Sequence, residues 1–204
     1  MHEQRSTEWF EARMGCVTAS RTAEITAKTK TGYSASRANY MAELICEKLT
    51  GERQGGFSSA AMQFGTETEP QARMAYEIMT GATVVETGFV LHPEIAGFGA
   101  SPDGLIGDDG LIEIKCPNTA THIETLLNDK VPAKYITQMH VQMLCTGRKW
   151  CDFVSFDPRL PVDMQMFVRR VEFDEALAKT IIAEVQKFIA EMETKIEQLK
   201  ARTA

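Results

Sequence analysis

The stretch Ser101-Pro102-Asp103-Gly104-Leu105-Ile106-Gly107-Asp108-Asp109-Gly110-Leu111-Ile112-Glu113-Ile114-Lys115-Cys116-Pro117 decides how this chain is read. Two short apolar runs, Leu105-Ile106 and Leu111 to Ile114, flank a turn rich in Gly and Asp, residue types that suit tight turns. Side chains alternate along a strand, so Glu113 and Lys115 share one face while Ile112 and Ile114 point to the opposite, buried face. The turn at 107–110 can fold Asp103 back beside Glu113. Two carboxylates and an ammonium then converge on one spot. By spacing alone an ordinary alternative stands beside this one, because Asp-Gly is a common turn and Glu-x-Lys a common exposed strand face.

Working outward, Thr18-Ala19-Ser20 followed by Arg21 to Ala27 reads as a short helix capped by hydroxyls. Lys28 to Ser36 reads as an exposed loop. Ser36 to Leu49 has helical periodicity through Tyr40, Leu44 and Cys46 to Leu49, with Gly51 just beyond. Gln54 to Ser59 reads as a flexible connection, and Glu67 to Met79 as a second helix ended by Gly81. Thr83 to Leu91 is rich in β-branched residues and opens a meander of short strands. Lys134 to Cys145 is again helical, Trp150 to Phe156 and Met166 to Phe173 are strands, and a long amphipathic helix begins near Asp174. Its apolar stripe is Leu177, Ile181, Val185, Phe188, Met192, Ile196 and Leu199, which fits packing on the core, the expected outcome, or a partner interface. This order predicts a mixed α/β fold with a central mixed sheet flanked by helices, in one domain over 1–204.

Bulk properties narrow the class. With 44% hydrophobic and 25% charged residues, the composition is that of an ordinary soluble globular protein. No apolar window is long enough to span a bilayer and the polar start lacks a secretory h-region, so a cytoplasmic location is expected. The five cysteines form no CxxC pair and no zinc spacing with histidine, which predicts reduced thiols and no structural zinc. A net charge of −6 does not suggest binding to nucleic acid by bulk electrostatics, so any such role must rest on local sites.

Convergent carboxylates beside a lysine are what phosphodiester hydrolysis needs. Oxygen ligands suit a hard cation such as Mg²⁺, which takes only one or two protein carboxylates and keeps several waters. A lysine can orient the attacking water or neutralise charge developing on the phosphate.

The Asp…Glu-x-Lys pattern resembles that of the PD-(D/E)xK nuclease superfamily, with its restriction-endonuclease-like core. More narrowly, the chain resembles the lambda-type alkaline exonucleases, the YqaJ-like viral recombinases. The pieces occur in family order from Trp9 to Pro158: Trp9-Phe10-Glu11-Ala12-Arg13-Met14-Gly15 with Thr18-Ala19-Ser20, then Gly65-Thr66-Glu67-Thr68-Glu69 with Ala72-Arg73. Ser-Pro-Asp-Gly-Leu at 101–105 and Glu-Ile-Lys-Cys-Pro at 113–117 follow, then Tyr135 with Gln138, Trp150 and Asp157-Pro158.

The resemblance implies an exodeoxyribonuclease that degrades linear duplex DNA processively from the 5′ end. It would leave a 3′ overhang for a single-strand annealing protein and work as a homotrimer around the DNA. Asp103 and Glu113 would ligate Mg²⁺, with two ions expected and Mn²⁺ as a substitute, helped by the backbone carbonyl of Ile114. Lys115 would position the attacking water, and Glu69 would support the second metal or its waters. Arg13, Ser20 and Ser101 match the positions that bind a terminal 5′-phosphate, and Gln138 matches a helical glutamine facing the site, with Gln142 on the same face. Read without the family, Glu69 is an i,i+4 partner of Arg73, and Arg13, Ser20 and Ser101 are a surface arginine, a helix residue and a turn serine. Trp9 and Phe10 fit either stacking on a DNA end or core packing. His140 and His92 are expected to be structural. The family often carries a basic residue soon after Lys-Cys-Pro, but here Asn118-Thr119-Ala120-Thr121-His122 follows, which leaves Lys130 and Lys134 as possible substitutes. Two other functions share the motif: an endonuclease of the same superfamily, and a non-catalytic DNA-end-binding recombination module.

Overall fold

The structure is a computed structural model that describes residues 3–30, 32–54 and 59–202. Helix α1 (Thr7–Arg13) starts where the Ser6 hydroxyl accepts the Trp9 N–H, a standard N-cap. After strand β1 (Val17–Thr18), a 3₁₀ turn at Ala19–Arg21 leads into helix α2 (Thr22–Thr26). The expected hydroxyl cap is absent here: Thr18 makes no side-chain cap bond. Its hydroxyl instead lies 3.5 Å from both Tyr40 Oη and Ser20 Oγ, and its N–H donates to Tyr40 Oη at 3.0 Å. The buried tyrosine outcompetes the helix end for this residue.

The expected loop from Lys28 to Ser36 contains an antiparallel pair instead, β2 (Lys28–Thr29) and β3 (Gly32–Tyr33). Helix α3 (Ala35–Thr50) then ends at Gly51, whose φ of 69° is the left-handed cap that glycine favours. Most of the connection expected from Gln54 to Ser59 lies outside the described residues. Helix α4 (Ala60–Thr80) begins well before the expected Glu67, because Ser59 accepts the Met62 N–H and supplies the cap. Propensity hides the part before Glu67, since Gly65 argues against a helix there. Gly81 closes α4 as expected, with φ 70°.

Strands β4 (Val84–Val85), β5 (Val90–Leu91), β6 (Phe98–Ala100), β7 (Gly104–Ile106) and β8 (Gly110–Lys115) follow. Two helices, α5 (Thr119–Asn128) and α6 (Ala133–Thr146), cross over to β9 (Trp150–Phe156), then come β10 (Met166–Glu172) and α7 (Glu175–Lys200). Five strands form the larger sheet in the order β10-β9-β8-β7-β4, mixed because β8 and β9 run parallel while the other pairs are antiparallel. A separate small sheet has the order β1-β6-β5.

Both faces of the larger sheet are covered. Ala72 and Tyr76 of α4 pack on Ile106, Ile112, Ile114 and Val154. Met139 and Met143 of α6 pack on Leu111, Cys151 and Phe153 from the other side. On its far side α6 offers Val141 and Cys145 to a third cluster with Tyr40, Leu44, Phe98 and the stripe of α7. Ile181, Val185, Phe188, Met192 and Ile196 are buried there, whereas Leu199 is 41% exposed, so the stripe ends a turn short of its expected length. The buried Phe188 ring illustrates the scale, since truncating such a side chain to Ala typically costs about 3–5 kcal/mol. The cysteines are free thiols, three buried and Cys16 and Cys46 half-buried. Among the described residues no helix is long and apolar enough to cross a membrane.

Candidate active site

The site forms where β8 ends between α4 and α6. Gly107, in a left-handed conformation with φ 51°, turns β7 back into β8, and Arg148 pins the turn by donating to the carbonyls of Ile106, Gly107 and Gly110 at 2.8–3.2 Å. Gly110 must lack a side chain, because a Cβ there would enter the Trp150 ring. The register Gly104↔Ile112 sets Asp103 across from Glu113, on the face that α6 covers. Asp103 Oδ2 accepts the Ile114 N–H at 2.6 Å. One pair further the same register brings Pro102 opposite Ile114, and proline has no N–H to offer the Ile114 carbonyl.

Glu113 is fully buried, and a buried carboxylate needs partners. It has three: Gln138 Nε2 donates to Oε1 at 2.6 Å, Gln142 Nε2 donates to Oε2, and the Lys115 ammonium pairs with Oε1. Glu113 is therefore as buried as the isoleucines behind it, and the face opens only at Lys115. Lys115 keeps 29% of its side chain exposed, with its Nζ 5.3 Å from the Tyr135 ring centre. Burial alone would lower the Lys115 ammonium, but Glu113 and Asp103 outweigh it and hold it above the usual lysine range. Lys115 thus stays cationic, suited to donating to water or phosphate oxygen. Burial, reinforced by Glu113, pushes Asp103 well above the usual carboxylate range against the opposing pull of Lys115. Asp157 fixes the strand exit: burial would raise it, but hydrogen bonds from Arg159 and Thr119 hold it at about 2, and Arg159 also donates to the Pro117 carbonyl at 3.0 Å.

Glu69 reaches the site from α4 and lines a cleft of about 440 Å³ with Asp103, Gln4, Arg5 and Arg73. Its i,i+4 pair with Arg73 exists at 3.8 Å, and Arg5 approaches more closely, at 2.8 Å. The Arg73 pairing read without the family is therefore present, and Glu69 also lines the cleft that Asp103 lines. Glu67 is exposed and accepts from Gln63, away from the cleft.

A second cleft, of about 140 Å³, gathers Arg13, Ser20, Ser101 and Gln138 against Trp9, with Gln4 and Arg5 at its edge. Ser101 Oγ accepts from Trp9 Nε1 at 3.0 Å and from Arg13 Nη1 at 3.1 Å, which leaves its own O–H to donate outward. The Arg13 guanidinium lies 3.9 Å from the Trp9 ring centre, and burial lowers it to about 10. A desolvated guanidinium beside two hydroxyls is a strong anion receptor. Trp9 is thus both a packed residue and the wall of this cleft, with Phe10 edge-on to it.

Other candidates fall away. His140 accepts the Asp174 N–H on Nε2 and bonds the Ile136 carbonyl through Nδ1, and His92 Nδ1 accepts from Glu94 and Ile95. Lys130 and Lys134 line a groove that shares no residue with either cleft. Arg5 and Gln4 are the site residues that sequence reasoning missed, since a polar stretch ahead of the first helix carries no periodic signal.

Among the described residues no three His, Cys, Asp or Glu side chains cluster tightly enough to hold a metal by themselves. Asp103 and Glu113 are hard oxygen donors of the kind magnesium takes in small number. They crowd two carboxylates together, and Glu113 is among the causes that raise Asp103.

Fold and site together define a nuclease of the mixed α/β kind. The chain matches the YqaJ-like viral recombinase domain over residues 8–149, and it belongs to that family. It is similar to a solved alkaline exonuclease, LHK-Exo from Laribacter hongkongensis, at 58% identity over 97% of this chain and 98% of that one, with a TM-score of 0.92. A second structure, of LHK-Exo in complex with dAMP, is 59% identical over the same shares, also with a TM-score of 0.92. A phage-related exonuclease from Haemophilus somnus 129PT shares the fold at 16% identity, covering 93% of this chain and 96% of that one with a TM-score of 0.71. A search of curated protein sequences finds no match. The chain is an exonuclease of the alkaline type within its family.

Proposed function

We propose that this protein is a Mg²⁺-dependent exodeoxyribonuclease that degrades linear duplex DNA from the 5′ end. One observation carries the reading: Gln138 hydrogen-bonds Glu113 and also lines the Arg13 cleft. A terminal phosphate held by Arg13, Ser20 and Ser101 would set the first phosphodiester beside Asp103, Glu113 and Lys115. Cutting there releases a mononucleotide, a product class consistent with the dAMP bound by LHK-Exo.

Asp103, Glu113 and the Ile114 carbonyl would hold one ion, and Glu69 would support a second or its waters. When bound, magnesium supplies Lewis acidity at the phosphoryl oxygen and a water of lowered pKa. Lys115 holds that water or the developing phosphate charge with its ammonium. Gln138 and Gln142 fix the Glu113 carboxylate so that its oxygens do not rotate away. A processive homotrimeric ring that passes its 3′ overhang to a single-strand annealing protein in the cytoplasm completes the proposal. Its support is the family resemblance and the exposed Met74, Ile78 and Met79 of α4 as assembly surface, and a ring would retain DNA that a net charge of −6 does not attract.

The test uses linear and covalently closed duplex DNA, with Mg²⁺ or with chelator. Digestion of the linear form alone, and only with Mg²⁺, is expected. Cutting of closed circles would favour the endonuclease, and hydrolysis unaffected by chelator would overturn the metal site.

A further inference from the structure

Arg5 stands at a junction. It lines the cleft of Glu69 and Asp103 and also the cleft of Arg13, Ser20, Ser101 and Gln138. Its backbone has φ 71°, an uncommon conformation for a residue with a Cβ and one that tends to be kept where function requires it. Gln4 holds the segment in place by donating to the Thr87 carbonyl at 2.9 Å and the Pro102 carbonyl at 2.7 Å, next to Asp103. The guanidinium is therefore aimed at the site by a fixed backbone.

Its present partner is easily given up. The Arg5–Glu69 pair is 2.8 Å long, but half of the Arg5 side chain is exposed, and exposed pairs are weak. Glu69 keeps Arg73 when Arg5 leaves. Meanwhile the segment after Pro117 offers no cation. His122 there is buried, with its ring nitrogens committed to Ser155 Oγ and the Met164 carbonyl. Lys130 and Lys134 lie in another groove.

We infer that Arg5 is a phosphate-binding specificity residue: its guanidinium exchanges Glu69 for a backbone phosphate of the cut strand lying between the two clefts. In this way the N-terminal segment supplies the cation that the segment after Pro117 lacks. The inference rests on the DNA-end reading proposed above. Arg suits the task because its planar fork matches two phosphate oxygens, whereas Lys offers a point charge.

The experiment measures binding of a 5′-phosphorylated linear duplex by fluorescence anisotropy in Ca²⁺ across a salt series, for the wild type, Arg5→Gly, Arg5→Ala and Arg5→Lys. Arg5→Gly removes the side chain while favouring the observed backbone, so it guards against loss of fold. The expected result is binding weakened on the order of tenfold in Arg5→Gly and Arg5→Ala. Their slope of log affinity against log salt should shallow by about one, with the slope kept in Arg5→Lys. A structural role for Arg5 would not move that slope. Wild-type affinity and slope in a folded Arg5→Gly protein would overturn the inference. A wild type that binds no duplex end at all would overturn the parent reading and this one with it, so the two failures are distinguishable.

Discussion

Gln142 of α6 donates to one carboxylate oxygen of Glu113 on β8, and both side chains are fully buried. With Gln138 on the other oxygen, the helix clamps the acid from one side. Partners that orient a ligating carboxylate typically matter 10- to 100-fold in metal affinity or activity. Gln142→Ala is therefore expected to weaken Mg²⁺ activation by about 10-fold or more. A Mg²⁺ titration of initial rates checks this, and an unchanged midpoint and maximal rate would contradict the clamp.

Asp103 gives a pH prediction whose sign follows from its raised value. Unfolded, it titrates near the ordinary 3.8; folded, burial and Glu113 move it well above that. Its contribution to folding is present below the unfolded value and is lost as pH rises through the folded one. At neutral pH, without a cation, Asp103 is thus a burden on stability. Asp103→Asn keeps an oxygen for the Ile114 N–H and should stabilise the cation-free protein at pH 7 by on the order of 1 kcal/mol, while abolishing hydrolysis. Melting curves in chelator from pH 4 to 8 should show the advantage growing with pH. A variant less stable than wild type at pH 7 would count against the crowded-charge account.

Lys115 has two functions to separate. Its ammonium stays charged, so Lys115→Ala removes a donor to water and phosphate but leaves Arg13, Ser20 and Ser101 intact. Turnover should fall by about 10²–10³ or more, the usual scale for losing a transition-state donor, with duplex-end affinity largely unchanged. Single-turnover kinetics alongside anisotropy measures both. Full activity in Lys115→Ala would remove Lys115 from the chemistry.

Arg13 tests the phosphate cleft. Arg13→Lys keeps a positive charge but loses the fork that reaches Ser101 and a phosphate together. The ratio of rates on 5′-phosphorylated and 5′-hydroxyl ends should drop by about tenfold. A preserved ratio would place phosphate recognition elsewhere.

Much of this was legible in the sequence for physical reasons. Alternation along Gly110–Lys115 fixed Glu113 and Lys115 on one face, and the glycine turn returned Asp103 to them. The spacing of Gln138 and Gln142 placed both on one helical face, and the structure shows that face meeting Glu113. Long helices with glycine caps, such as the one ending at Gly81, declared their ends as well. What escaped was structure that tertiary contacts impose. The start of α4 defies the propensity of Gly65, α5 and α1 are too short for a periodic stripe, and Thr18 abandons its cap for Tyr40. Arg5 escaped because its position depends on Gln4 reaching carbonyls 83 and 98 residues away. No local pattern encodes that contact.

The central claim is that the Arg13 cleft presents a 5′ end to the Asp103–Glu113–Lys115 centre. The most direct measurement follows two linear 5′-phosphorylated duplexes in Mg²⁺, one labelled at a 5′ end and one at a 3′ end, with products resolved by size over time. The account predicts that the 5′ label is released at once as a mononucleotide while the 3′-labelled strand shortens progressively. A 5′-labelled strand that shortens progressively from its far end would contradict it.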